Sequence, residues 1–443
     1  NGTWSTLAVA GMGAGGRALF AVRLFDESVG NSALGGLWEI TPATSGFAEL
    51  GFIYGKPAIA QLNGEQVAIV GNGYGGASGQ PMLYVIRLSD GVLIKSIPAP
   101  GADSASGNGL SAPQLVTNSL GDAIAAYAGD LQGRLWKFDL QGEPADWGVA
   151  LNGAPLFSAE LPESGPQPIT VQPLVVEHPQ GGRMVVFGTG KFLEAQDRQN
   201  TRLQAVYAIW DRPGGEGNLT AATLQSQQIT SESSAGNRQL RTVSQHRVHW
   251  NGPRSDGWYL PLILGTRAQG ERVTRELQIR GGRVLFNTGF IKDDGDPCQS
   301  AGAGWLMSLD LFSGGMLQVA TLDTNDDGVV DSDDALIAGI SVEGGLPGDL
   351  VILERPRIQP ADGTEELDVE APDPVGPVRC DATSEFCPCD PAFDTCVCQD
   401  GDPQCRLVYC GQEFNLIAAT DAIDQVVGAA NCRFSRVMWR QLM

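Results

Sequence analysis

An all-β fold assembled from a repeated group of short strands is what this sequence predicts, on three observations. The chain of 443 residues carries 58 Gly and 26 Pro, a density of turn formers that leaves little room for long helical periodicities. Short apolar runs that end in glycine recur, as in Val67-Ala-Ile-Val-Gly71-Asn72-Gly73, Ala125-Ala-Tyr127-Ala-Gly129-Asp130 and Met184-Val-Val-Phe187-Gly188-Thr-Gly190. Alternating with them are runs that place an aromatic residue and then an acid near a strand's end, such as Trp136-Lys-Phe138-Asp139 and Ala205-Val-Tyr207-Ala-Ile-Trp210-Asp211.

Taken in order, Trp4-Ser-Thr-Leu-Ala-Val-Ala-Gly11-Met-Gly13-Ala-Gly-Gly16 contains a literal G-x-G-x-x-G. A dinucleotide site would need a helix next, aiming its N-terminus at the pyrophosphate. Arg17-Ala-Leu-Phe-Ala-Val-Arg-Leu24 follows instead, apolar and β-prone, so the glycines read as a strand-to-strand loop. Leu37-Trp38-Glu-Ile40 then returns. Met82-Leu-Tyr84-Val-Ile-Arg-Leu88 and Val92-Leu-Ile-Lys-Ser-Ile97 flank Asp90-Gly91, a hairpin turn signal. Trp305-Leu-Met-Ser-Leu-Asp310-Leu, ahead of Ser313-Gly-Gly, repeats the aromatic–acid run.

Before the glycine-ended strands stand Pro-containing ones: Gly55-Lys-Pro57-Ala-Ile, Ser111-Ala-Pro113-Gln-Leu and Val171-Gln-Pro173-Leu-Val. The order Pro strand, Gly-ended strand, aromatic–Asp strand and returning strand uses about 45–55 residues, the size of a β-propeller blade. Over residues 1–360 that period predicts roughly seven irregular blades. Residues 213–245 are a long polar excursion rich in Ser, Thr, Gln and Asn, after which Gly257-Trp258-Tyr-Leu-Pro-Leu and Gly282-Arg-Val-Leu-Phe286 resume the pattern.

One stretch carries strong chemistry. Asp323-Thr-Asn325-Asp-Asp327-Gly328-Val329-Val-Asp331-Ser-Asp333-Asp334 has oxygen side chains at loop positions 1, 3, 5, 9 and 12, and glycine at position 6, as an EF-hand-type calcium loop requires. The expected donors are Asp323, Asn325, Asp327 and Asp331, the carbonyl of Val329, and Asp334 at position 12, where a bidentate Glu is usual. Six aspartates in twelve residues repel one another without a cation, and no Lys or Arg occurs between Asp293 and Glu354. Met316-Leu-Gln-Val-Ala-Thr321 reads as a strand leading in, and Ala335-Leu-Ile-Ala allows little helix after it, so the loop is set into β structure rather than paired helices.

Composition bounds the rest. With 29 Lys and Arg against 51 Asp and Glu, the net charge of −22 disfavours nucleic acid and anionic lipid. No apolar run is long enough for a membrane span, and no signal peptide is present; beginning at Asn1 rather than Met fits a piece of a longer protein. Eight of the nine cysteines lie at Cys380 or later. Residues 361–404 hold twelve acids and one Arg with few apolar side chains, so disulfides explain the cysteines better than zinc, and imply an oxidising compartment. The cysteine-rich insertion is placed at 361–412, and residues 413–443 are expected to return and close the propeller. Gly190-Lys191 lacks phosphate-loop spacing, and His178, His246 and His249 read as surface residues. No catalytic constellation is found.

The chain resembles the C-terminal propeller domain of PilY-type proteins, the tip-associated adhesins of bacterial type IV pili. The resemblance rests on Trp4-Ser-Thr with Gly11 to Gly16, Gly71-Asn-Gly-Tyr74, Gly107-Asn-Gly-Leu110, Tyr127-Ala-Gly-Asp-Leu-Gln-Gly-Arg-Leu-Trp-Lys-Phe-Asp139, Phe187-Gly-Thr-Gly-Lys-Phe192, Tyr207-Ala-Ile-Trp-Asp211, the calcium loop and Trp439-Arg-Gln-Leu442. It implies a calcium-dependent, non-enzymatic regulator of pilus extension and retraction that also attaches to host or abiotic surfaces. Its implied partners are pilins or minor pilins, and its implied location is the pilus tip or outer surface, reached through the periplasm. The family's calcium residues match here at Asp323, Asn325, Asp327, Val329 and Asp331. A second site, which the family often has before Tyr127, has too few carboxylates in Val116-Thr-Asn118-Ser-Leu-Gly-Asp122. Two other classes compete: a pyrroloquinoline-quinone propeller dehydrogenase, whose regular A-x-D-x-x-T-G-x-x-x-W repeat is lacking here, and a carbohydrate-binding secreted propeller.

Overall fold

The computed structural model describes residues 4–28, 34–103, 107–162, 164–266, 268–292, 302–342, 344–355, 412–419 and 423–429. All nine cysteines, the acidic insertion and Trp439-Arg-Gln-Leu442 fall outside these residues. Among the described residues the strands sort into seven sheets, one of them a two-stranded ribbon, and the chain divides into two compact units. The first is Asn1–Ser226 with Val248–Leu277; the second is Gln227–Arg247 with Gln278–Met443.

In the first unit the four-strand repeat folds as its sequence pattern dictates. Ala58–Leu62, Glu65–Gly71, Met82–Arg87 and Leu93–Pro98 form one antiparallel sheet in sequence order. Gln114–Thr117, Ala123–Gly129 and Arg134–Asp139 begin the next, and Leu174–Glu177, Arg183–Gly188 and Ala205–Asp211 the one after. That last sheet takes its returning strand, Gly257–Pro261, from beyond the polar excursion. The sheet at the start of the chain has three strands: Ser5–Gly11, Leu19–Asp26 and Gly35–Ile40.

The central strands Glu65–Gly71, Ala123–Gly129, Arg183–Gly188 and Ala205–Asp211 are buried on both faces, because alternate side chains of one strand serve two different cores. Ala68 and Val70 pack with Leu19, Ile40 and Tyr84, whereas Val67 and Ile69 pack with Ala126, Ala128 and Trp136. Ala125 and Tyr127 turn the other way, toward Val185, Phe187 and Tyr207. The sheets therefore stack face on face, which explains the near-continuous apolar runs.

The terminal glycines are there because the next segment runs against them. A Cβ on Gly71 would lie 2.0 Å from the carbonyl oxygen of Ser111, and one on Gly129 2.2 Å from Ile169. Gly11 meets Ile53, and Gly188 meets Val273, in the same way. The acids closing the aromatic strands are turn formers. Asp26, Asp90 and Asp139 each accept the backbone N–H two residues on, from Ser28, Val92 and Gln141, at 2.9, 3.1 and 3.0 Å. Asp211 departs from this pattern: it is buried, 2.6 Å from Lys137 Nζ, and accepts the Tyr127 hydroxyl.

In the second unit the polar excursion is not a loop. Ile229–Ala235 and Arg238–Val243 form a hairpin that joins Gly339–Ser341, Gly302–Asp310, Arg283–Ile291 and Gln278–Arg280 in one sheet. Arg241 pairs with Gly339 and Leu240 with Ile340. A hairpin with one polar face reads as a loop in sequence, since only its Ile229, Leu240 and Val243 are buried apolar positions. Pro347–Arg355, Gln412–Ala419 and Ile423–Ala429 form a further three-stranded sheet, and Leu285, Leu306, Leu322, Ile340, Ile417 and Val426 share a core. Among the described residues no helix is long and apolar enough to cross a membrane.

Candidate metal site

Loop 323–334 lies between Gly302–Asp310 and Gly339–Ser341, inside the second unit. The segment 316–321 before it is not a strand: its chain is irregular, and the stem is held instead by a lone bridge from Leu322 to Gly428. Gly328 has φ of 85°, the left-handed conformation the sixth position needs, and Asp326 shares that region at 61°.

The loop is wound about its own carboxylates. Buried Asp323 accepts the N–H groups of Asp326 and Asn325 on Oδ1, at 2.8 and 3.2 Å, and that of Gly328 on Oδ2 at 2.8 Å. The Asn325 side chain accepts from Asp327 N–H and donates to Asp327 Oδ2, both at 3.0 Å. Asp327 Oδ1 takes the Val329 N–H at 2.8 Å, and Asp331 Oδ1 takes the Asp333 N–H at 2.8 Å. Asp334, also buried, ties the ends together: Oδ1 accepts from Thr324 N–H at 2.6 Å and Oδ2 from Asp331 N–H at 2.9 Å.

Burial pushes the Asp323 carboxyl above its ordinary value, the Gly328 and Asp326 amides pull it down, and the charges of Asp334 and Asp327 push it up again. The acidic crowding expected from the sequence therefore does load the first position. The loop is not wholly without a neighbouring cation, as its sequence surroundings suggest. Arg238, from the hairpin that looked like a polar loop, brings Nε to 3.8 Å from Asp326 Oδ1.

The residues fit a hard divalent cation in donor chemistry and in the turn at Gly328. A carboxylate oxygen has two lone pairs, so Asp323 Oδ2, Asp327 Oδ1 and Asp331 Oδ1, with one amide hydrogen bond each, keep capacity for a ligand role, whereas Asp323 Oδ1 and Asp334 Oδ1 already accept two. They are not a preformed cage, since among the described residues no group of three or more His, Cys, Asp or Glu side chains is drawn together as a metal cluster.

One predicted surface residue is misplaced by the sequence. His178 is 4% exposed, stacked on Trp210 at 4.1 Å between ring centres and edge-on to Trp250 at 4.4 Å. Burial, and then the Arg212 charge, pull its pKa down to about 4. His246 and His249 are exposed as expected. Nothing local in Glu177-His178-Pro179 signals the aromatic box, which is closed by residues more than thirty positions away.

Residues 1–237 match the sequence model of the PilY1 β-propeller domain. The chain belongs to the PilY1 β-propeller domain family. It is 34% identical over 378 residues to the type IV pilus biogenesis factor PilY1 of Pseudomonas aeruginosa, covering 75% of this chain and 32% of that protein. A PilY1 homologue from Xylella fastidiosa is 35% identical over 333 residues, covering 71% and 22%. The chain thus spans about a third or less of the length of these PilY1 relatives. The crystal structure of the P. aeruginosa PilY1 C-terminal domain superimposes with a TM-score of 0.70 at 30% identity, covering 80% of this chain and 77% of that one. The all-β propeller expectation and the PilY resemblance both stand.

Proposed function

We propose that this chain is a calcium-binding, non-catalytic part of a type IV pilus biogenesis factor, acting at the pilus tip on pilus extension and retraction and on surface attachment. Pilins or minor pilins are its partners in this reading. The observation that carries it is the loop 323–334 in a member of a family whose named relatives are pilus biogenesis factors. Asp323, Asn325, Asp327, Asp331, the Val329 carbonyl and Asp334 would hold the ion. Calcium would neutralise the carboxylates and order the loop, and any ligand specific to the folded state stabilises it, by about 2.7 kcal/mol at a hundredfold excess over Kd.

The test is calorimetric titration of calcium into the chain and into its Asp323→Ala/Asp331→Ala variant. One equivalent should bind to the first and none to the second, with the variant's circular dichroism unchanged. A strain carrying the same double change in the full-length protein should lose calcium-dependent twitching. Stoichiometric binding that survives the double change overturns the assignment.

A further inference from the structure

The stem of loop 323–334 is built onto the last two described strands. Asp323 donates its N–H to the Val427 carbonyl at 3.0 Å, next to the bridge between Leu322 and Gly428. One residue earlier, the Thr321 carbonyl accepts from Arg283 Nη1 at 3.3 Å, and Arg283 Nη2 meets Glu413 Oε2 at 3.2 Å. On the loop's other side, Arg238 makes a two-pronged contact with Asp424, both bonds 2.9 Å, and donates to the Gln425 carbonyl at 3.2 Å while facing Asp326.

We propose that the hairpin of Gln412–Ala419 and Ile423–Ala429 is the element that reads cation occupancy of the loop, with Arg238 as the positioning residue that joins the two. The inference rests on the calcium reading above and names how that site is regulated. A cation that fixes the Asp323 side chain also fixes its backbone N–H on Val427, so ion binding and hairpin docking stabilise each other. By linkage the effect is reciprocal: the factor by which the ion favours hairpin docking is the factor by which docking tightens the ion.

Arg238 provides a test of sign. As a mere nearby positive charge it opposes a cation, and its removal tightens binding. As a positioning residue it holds loop and hairpin in register, and its removal weakens binding. Asp424 compensates the guanidinium at hydrogen-bond distance on both prongs, so the positioning effect dominates.

The experiment is amide hydrogen exchange on the whole chain with and without calcium, alongside calcium titration, for the wild type, Arg238→Ala and Arg238→Lys. Lysine keeps the charge and loses the two-pronged bond, and serves if alanine impairs folding. Calcium should slow exchange in 412–419 and 423–429 as well as in 323–334, and leave Met82–Arg87 unchanged. Both variants should bind calcium about fivefold or more weakly, with hairpin exchange no longer responding to it. Protection confined to 323–334, or tighter calcium binding by Arg238→Ala, overturns the inference and leaves the calcium site intact. Failure of the wild type to bind calcium removes the site and the inference together.

Discussion

The sheets of the first unit and those of the second are made of similar strands in different ways. In the first unit, a sheet such as that running from Ala58–Leu62 to Leu93–Pro98 is one contiguous stretch, and each successor repeats its order of strands. In the second, one six-stranded sheet draws on residues 229–243, 278–310 and 339–341. The first kind repeats a close approach at its strand-ending glycines, Gly71, Gly129 and Gly188. The second has such approaches too, at Gly302 and Gly304, and is joined to the three-stranded sheet of Pro347–Arg355, Gln412–Ala419 and Ile423–Ala429 by long-range charged contacts, Arg283 to Glu413 and Arg238 to Asp424. Contiguous repeats can rely on local geometry, whereas two sheets built from segments distant in sequence are set against each other by specific side chains.

The largest effect that follows is at Gly71. Gly71→Val drives a branched side chain into the Ser111 and Leu110 carbonyls, and should cost more than about 4 kcal/mol by thermal or urea unfolding, enough to unfold the first unit. Gly36→Ala, at a strand glycine with nothing within 4 Å of the added methyl, should change stability by about 0.5 kcal/mol or less. Equal costs at the two positions would break the claim that close approach, rather than glycine content, organises the first unit.

Arg283→Ala comes next and concerns the second unit. It removes the guanidinium 3.2 Å from the buried Glu413 carboxylate, which should cost about 3–5 kcal/mol, read as a lower urea midpoint. The double change Arg283→Met/Glu413→Leu should recover most of that loss. A single variant near wild-type stability would show that the charged pin does not hold the two sheets together.

His178 separates the units by pH. Its folded-state pKa of about 4 is below the ordinary histidine value of 6.5, so between those limits the unfolded chain binds more protons than the folded one. Stability from this group is complete above about pH 6.5 and is lost as the pH falls toward 4, by up to about 3 kcal/mol. His178→Phe should flatten the slope in pH-dependent unfolding of the first unit, at a somewhat lower plateau because the Gln180 N–H loses its acceptor, His178 Nδ1.

What could be read in the sequence divides along the same line. The four-strand order was legible because glycine, proline and the aromatic–acid pair mark strand ends locally, and Ala205–Asp211 sits where its residues placed it. The calcium-type loop was legible as a donor pattern, because its spacing and Gly328 are local. The hairpin at 229–243 was not, because one polar face hides strand periodicity. The partnership of Arg238 with Asp326 and Asp424 was not, because it joins positions up to 186 residues apart. His178 was misread for the same reason: burial is set by Trp210 and Trp250, not by its neighbours in the chain.

The smallest effect tests whether a repeated sequence feature does the same work in both units. Asp139 in the first unit and Asp310 in the second each close an aromatic strand and accept the N–H two residues on, from Gln141 at 3.0 Å and Phe312 at 3.1 Å. Asp139 is exposed, so its turn bond competes with water, and Asp139→Ala should cost about 0.5 kcal/mol. Asp310 is half-buried and also accepts the Ser313 N–H and hydroxyl, both at 2.7 Å. Asp310→Ala leaves those donors without their acceptor and should cost about 1–2 kcal/mol, read as a shift in urea midpoint. If the order is reversed, burial does not set the strength of the turn, and the acid is better explained by the surface charge of the chain than by the local conformation it closes.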